Sequence, residues 1–115
     1  MTKIRKFDTG ATRDTEENKL DYEGFLSPRV LERYAKYMDK HRVQSDGTLR
    51  TSDNWQKGIP KDVYIKSAHR HFVDWWKEHR GYKSREGLED ALCGVLFNTM
   101  GYLYEVLKNK NVKKT

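Results

Sequence analysis

From Ser84 to Lys108 the chain carries apolar residues at helical spacing on two opposite sides at once. Leu88, Ala91, Leu92, Val95, Leu96, Thr99, Tyr102, Leu103 and Val106 form the main stripe. Opposite them, the line begun by Glu86 and Asp90 is continued by Cys93, Phe97, Met100 and Tyr104. A helix apolar on both sides is buried on both sides. The chain has 115 residues, enough for one domain with one modest core. Its longest helix therefore requires either a partner subunit or a cleft whose mouth is the acidic turn at the helix start. Cys93, the only cysteine, lies in this apolar run and reads as core; a lone cysteine permits no intrachain disulfide and fits a reducing compartment.

Two further helices precede this one. Ser27-Pro28 is a helix start, with serine as N-cap and proline at the first helical position. Val30, Leu31, Tyr34, Ala35, Tyr37 and Met38 then recur at three- and four-residue spacing as far as His41 or Arg42. A second helix opens at Asp62, its expected N-cap, and runs to His79 with Ile65, Ala68, Phe72, Trp75, Trp76 and His79 as its apolar stripe. Ser84 is placed to cap the third helix, with Glu86 in its first turn. Residues 1–26 have no sustained period and read as an extended N-terminal arm, either docked on the domain or free. Residues 43–60 form a long loop punctuated by Gly, Asp, Asn and Pro, and such loops are uncommon unless functional. No strand signal, repeat or membrane-length apolar run appears. The expectation is an all-α fold of three main helices in 27–108, an extended arm, and a basic flexible tail over 109–115.

The second helix carries a polar line beside its apolar stripe. At about 100° per residue, Ser67, His71, Asp74 and Glu78 fall within roughly 60° of one another, about 120° from the stripe. After a break at Arg80-Gly81, Glu86, Glu89 and Asp90 open the next helix. Two antiparallel helices joined by a short turn bring these acidic sets together, an arrangement that resembles a divalent-metal site. Plainer readings stand beside this one: Asp74 and Glu78 as solvated charges, Glu86 as a dipole partner, His71 as a packing residue, Trp55 as a plug at the core edge. Gathered carboxylates suit Mg²⁺ or Mn²⁺, which take oxygen ligands alongside substrate phosphates. No His-Glu-x-x-His, Walker-type phosphate loop or Gly-x-Ser-x-Gly elbow competes.

The formal charge is +6, but its distribution argues against a nucleic-acid groove. Three Lys and Arg lie in residues 1–6 and four lysines in 108–115, leaving 16 basic and 17 acidic residues between them. The excess sits in the tails, where it adds only non-specific affinity for polyanions.

The ordered set Arg13-Asp14, Lys19, Tyr22, Leu26, Pro28, Leu31, Tyr34-Ala35, Asn54-Trp55-x-Lys57-Gly58-Ile59-Pro60, Arg70-His71, Trp75-Trp76, Glu78 and Gly87-Leu88 resembles the phage-encoded dATP/dGTP diphosphohydrolase N-terminal domain family. These are small all-helical proteins comparable to MazG-like nucleotide pyrophosphohydrolases. The resemblance spans residues 13–107 and implies a MazG-like helical bundle, completed by oligomerisation. It also implies metal-dependent hydrolysis of a deoxynucleoside triphosphate, such as dATP or dGTP, to monophosphate and pyrophosphate. The chain departs from the MazG pattern of Glu-x-x-Glu and Glu-x-x-Asp on successive helices.

Combining residues and resemblance, Asp74, Glu78, Glu86 and Asp90 are expected to hold Mg²⁺, or Mn²⁺, with Glu89 as an outer or alternate ligand. His71 would orient a ligand or the attacking water. Arg70, Lys57 and Lys19 are candidates for phosphate contacts, and Trp55 and Asn54 for stacking on and hydrogen bonding the base. The expected partners are the nucleoside triphosphate and a second copy of the chain, and the expected location is the cytoplasm, that of the host for a phage-encoded chain. The competing class is a non-enzymatic phage accessory protein, a helical oligomer that binds a host protein or nucleic acid through its tails.

Overall fold

A computed structural model of the chain describes residues 3–112. Lys113, Lys114 and Thr115, the end of the expected basic tail, lie outside the described residues. Two units divide between Glu32 and Arg33, inside one helix, and each is described by itself.

The first unit holds structure that the sequence reading did not anticipate. Strands β1 (Ile4–Lys6) and β2 (Thr12–Asp14) form an antiparallel hairpin in which Arg5 faces Arg13. Three-residue strands of exposed, mostly charged side chains carry no period-two signal. Backbone bonds from Phe7 to Ala11 and from Gly10 to Phe7 close the turn, and Gly10 takes a left-handed φ of +92°. Arg5 offsets its like-charged neighbour by donating to the Asp14 carbonyl at 3.1 Å and pairing with Glu16 at 3.2 Å. A single turn, α1 (Tyr22–Phe25), follows, with Asp21 Oδ1 accepting from the Gly24 N–H. The start of α2 (Pro28–Lys40) is as expected, with Ser27 Oγ accepting from the Val30 N–H at 3.2 Å.

The second unit is built on α3 (Lys61–His79) and α4 (Leu88–Val112). Gly94 lies against the His71 ring and Gly101 against the Tyr64 ring, so seven residues forward on α4 match seven back on α3. The pair is antiparallel. A Cβ at either glycine would collide with the facing ring, so the missing side chains set how closely the helices approach. α3 starts at Lys61, which puts Asp62 inside the first turn rather than at the cap. It ends in a Schellman arrangement, in which the Tyr82 N–H donates to the Lys77 carbonyl, the Gly81 N–H donates to the Glu78 carbonyl, and Gly81 has a φ of +84°.

This packing reverses the expected faces of α3. Tyr64, Ser67, His71, Asp74 and Glu78 turn toward α4, while Ile65, Phe72 and Trp76 are exposed. Only Ala68 and Trp75 of the expected stripe are partly covered. The inner face of α4 (Ala91, Gly94, Asn98 and Gly101) is made of small or polar residues. It accommodates the hydrogen-bonded His71 imidazole and Asp74 carboxylate and the flat Tyr64 ring, whose buried hydroxyl has no partner among the described residues, whereas the indole and phenyl groups of the stripe need more room. Of α4's two apolar sides, the one carrying Cys93 and Phe97 is largely covered within this chain, with Met100 exposed. On the other, Ala91 is buried, while Leu88, Leu96 and Leu103 of the main stripe, and Leu107 beyond it, are 42–53% exposed.

The remaining elements close one side of the pair. The loop after α2 is not irregular throughout: Val43 bridges Leu49, and Asp46 accepts from both the backbone and the hydroxyl of Thr48. A one-turn 3₁₀ helix, Asn54–Lys57, sets Trp55 edge-on to Tyr104 and Phe97 at ring separations of 5.0 and 6.3 Å. From Arg33 onward, α2 reaches α4 through long side chains rather than by close backbone packing. Among the described residues, no helix is long and apolar enough to cross a membrane.

The glycine contacts give a direct test. Gly101→Ala should destabilise the protein by about 1–3 kcal/mol through overpacking against Tyr64, read by urea denaturation, although alanine is the better helix former. A stabilised variant would mean that the helices do not approach at this point.

Candidate metal site and cleft

Three side chains from two elements converge near the turn that joins the helix pair. His71 and Asp74 project from the inner face of α3, and Glu86 from the turn between α3 and α4. One ligand atom from each lies within 4.8 Å of the others. The turn explains why Glu86 is available. The helix was expected to begin at Ser84, with Glu86 serving its dipole, yet α4 begins at Leu88 behind Gly87, whose φ is +86°. Glu86 therefore stands before the helix and points at His71. Ser84, instead of capping α4, holds the turn: its hydroxyl donates to Glu78 Oε2 and accepts from the Gly87 N–H, and its own N–H also donates to Glu78 Oε2.

Charges in the trio are paired. His71 Nδ1 lies 2.6 Å from Glu86 Oε1. With a carboxylate as acceptor, Nδ1 is the donor of this bond. Asp74 is 2% exposed, and the Arg85 Nε donates to its Oδ2 at 2.6 Å. Burial pushes the Asp74 carboxyl up, but the hydrogen bond from Arg85 and the charges of Arg85 and Lys77 outweigh it, so the acid sits below the usual carboxylate range. The side chain of Arg85 is 58% exposed and can leave without disturbing a packed surface. Two carboxylate oxygens and an imidazole nitrogen can hold a divalent metal ion. The nitrogen makes the set less suited to Mg²⁺, which prefers oxygen, than to Mn²⁺ or a later transition ion.

The other sequence candidates have different places. Glu78 does not join the trio; bonds from the Ser84 backbone and hydroxyl hold its carboxyl low. Asp90 is bound by Lys40 at 2.5 Å and Arg33 at 2.6 Å. Glu89, largely exposed, pairs with Arg33 at 2.6 Å. Neither lies within the trio. Arg70 is exposed and borders a shallow hollow with Ile65, Lys66 and His69. Lys57 ends the 3₁₀ turn, exposed and outside the cleft lining. Lys19 belongs to the first unit. Asn54 and Trp55 do line a cleft, and His71 lines it with them.

That cleft, about 590 Å³, fills the space that α2 leaves by standing off from α4. Its walls include Tyr34, Tyr37, Trp55, Phe97 and Asn98, and Arg42 and Arg50 also line it. Burial pushes the Tyr34 and Tyr37 phenols up to about 12, so both remain neutral hydrogen-bonding groups at physiological pH. Asn98, buried in the apolar run of α4, donates from Nδ2 to the Gly94 carbonyl at 2.7 Å. Sequence reasoning passed over Asn98, Arg33, Lys40, Arg85, Arg42 and Arg50. A polar residue inside an apolar helix was the available signal for Asn98; the arginines and lysine gave none. Comparison with protein-family models, with curated proteins and with solved structures finds no match to this chain.

Asp90 supplies a pH test. Lys40 and then Arg33 hold its folded pKa below the unfolded value. Its contribution to stability is therefore complete above the unfolded pKa and is lost as pH falls toward the folded one. Melting temperature should drop on acidification below the ordinary carboxylate range. Asp90→Asn should lower it at pH 7 and flatten the acid limb. An unchanged acid limb in the variant would place the acid sensitivity elsewhere.

Proposed function

We propose that the protein is a metal-dependent nucleoside triphosphate pyrophosphohydrolase, acting on a purine deoxynucleotide such as dATP or dGTP. The observation that carries this reading is that His71 belongs both to the metal-competent trio and to the wall of an aromatic cleft of nucleotide size. The ordered motifs that resemble the phage diphosphohydrolase family support the same reading. A water attacks the α-phosphorus, the bond to the oxygen bridging the β-phosphorus breaks, and the products are the monophosphate and pyrophosphate.

His71, Asp74 and Glu86 would hold the ion. A bound divalent ion neutralises phosphate charge and lowers the pKa of a coordinated water. The chain's own residues supply the rest. Glu86 fixes the His71 ring through Nδ1, Arg85 balances the buried Asp74 charge until the ion takes its place, and Trp55 and Phe97 offer aromatic surface to a base. Mn²⁺ is the preferred ion in this reading, and Mg²⁺ the weaker one. The bare leucine stripe of α4 favours a working homodimer, because a contiguous apolar face on a charged, water-exposed chain is what a second copy covers.

The test is a panel of eight NTPs and dNTPs with Mn²⁺ or Mg²⁺, scored separately for pyrophosphate and phosphate. Pyrophosphate with a purine deoxynucleoside monophosphate is expected. Asp74→Asn and Glu86→Gln should each lose at least about tenfold in rate, and Glu89→Gln should keep it. No product from any nucleotide would favour the accessory-protein reading, whose mark is binding to a polyanion or host protein that weakens steeply with salt.

A further inference from the structure

The cleft has one charged feature that the trio does not use. Two guanidinium groups, of Arg42 and Arg50, line it against a single acid, Asp39. Asp39 is already paired with Arg42 at 3.3 Å. Arg50 has no carboxylate partner among the described residues; its one side-chain bond runs from Nη1 to the His41 carbonyl at 3.2 Å. A guanidinium beside a concave aromatic wall, with most of its five donors unused, is equipped to take an anion bidentately.

Arg50 is exposed, and the fold fixes its backbone. Residues 42–50 form a small hairpin, bridged at Val43 and Leu49, turned by Asp46 and Gly47, and closed at its base by the Arg42 Nε donating to the Arg50 carbonyl at 2.8 Å. The Arg50 N–H donates to the Arg42 carbonyl at the same distance. Its location also bounds the cleft. His41, to which Arg50 is bonded, packs at a tilt against Tyr37 with 4.3 Å between ring centres, and both line the cleft together with His71 of the trio. Trp55 and Phe97, with Tyr104 against Trp55, form an aromatic part of the same wall.

We propose that Arg50, carried by the 42–50 hairpin, grips the polyphosphate chain of a nucleotide whose base rests in the aromatic part of the cleft, and so sets the preference for a triphosphate over a monophosphate. This rests on the nucleotide reading given above. Arg50 acts on binding, beside the reacting phosphorus rather than on it. In steady state, its loss should raise KM and leave kcat largely as it was.

The experiment is calorimetric titration of the full chain in Mn²⁺ with three probes: a purine deoxynucleoside α,β-methylene triphosphate, the matching monophosphate, and inorganic tripolyphosphate. Arg50→Gln should weaken the triphosphate analogue roughly 10- to 100-fold and abolish competition by tripolyphosphate. Monophosphate affinity should be nearly unchanged, and the salt dependence of triphosphate binding should be shallower. Arg50→Lys, which keeps the charge and the backbone bonds of the hairpin, should recover part of the loss, which a merely unfolded hairpin would not allow. Wild-type affinity for the triphosphate analogue in Arg50→Gln overturns the assignment while leaving the pyrophosphohydrolase reading intact. Failure of the wild-type protein to bind any of the probes overturns both.

Discussion

The contact on which the structure depends is the seating of two rings on two glycines. His71 and Tyr64, seven residues apart on α3, lie on Gly94 and Gly101, seven apart on α4. Without side chains there, α4 offers a shallow, partly polar groove, and α3 enters it with its polar face. Three consequences follow. Asp74 and His71 are carried into the interior, next to the turn that supplies Glu86. The bulky residues Ile65, Phe72 and Trp76 are left outside. The leucine stripe of α4 is also left bare. Packing that would be wasteful in a purely structural protein is what a site needs: Asp74 and His71 are paired as buried polar groups must be, while the buried Tyr64 hydroxyl has no partner among the described residues.

Each inward acid has its partner. Asp74 has Arg85, Glu86 has His71, Asp90 has Lys40 and Arg33, and Glu78 has the Ser84 backbone and hydroxyl. The pairs differ in what they can give up. Asp90 ties α2 to α4 through two cations, and Glu78 closes the turn before α4, so both serve the fold. Asp74 is balanced by one half-exposed arginine, and Glu86 by a histidine that is itself a ligand type. In the proposed reading a divalent ion would displace the exposed Arg85, whereas Lys40 and Arg33 join α2 to α4 and would stay.

Much of this was legible in the sequence, and the failures have physical causes. Ser27-Pro28 and the break at Arg80-Gly81 marked real boundaries, because caps and left-handed glycines are local chemistry. The line of Ser67, His71, Asp74 and Glu78 was seen as one face. Its meeting with the acids after the break was expected; the exposure of the apolar stripe was not, because hydrophobicity alone assigns that stripe to the core, and only the glycines of α4 reverse that. Glu86 was drawn inside a helix that in fact begins two residues later, after a glycine. The hairpin of residues 4–14 and the bridge between Val43 and Leu49 rest on backbone pairing and turn geometry, which periodicity does not register. The chain's charged partners, Arg33, Lys40 and Arg85, are known only from tertiary contact.

The most direct measurement is anomalous diffraction from a crystal of the protein soaked in Mn²⁺. The account requires a peak bounded by His71, Asp74 and Glu86, with Arg85 withdrawn from Asp74. A crystal with the Arg85–Asp74 pair intact, and manganese bound only at other acids or at none, would contradict it.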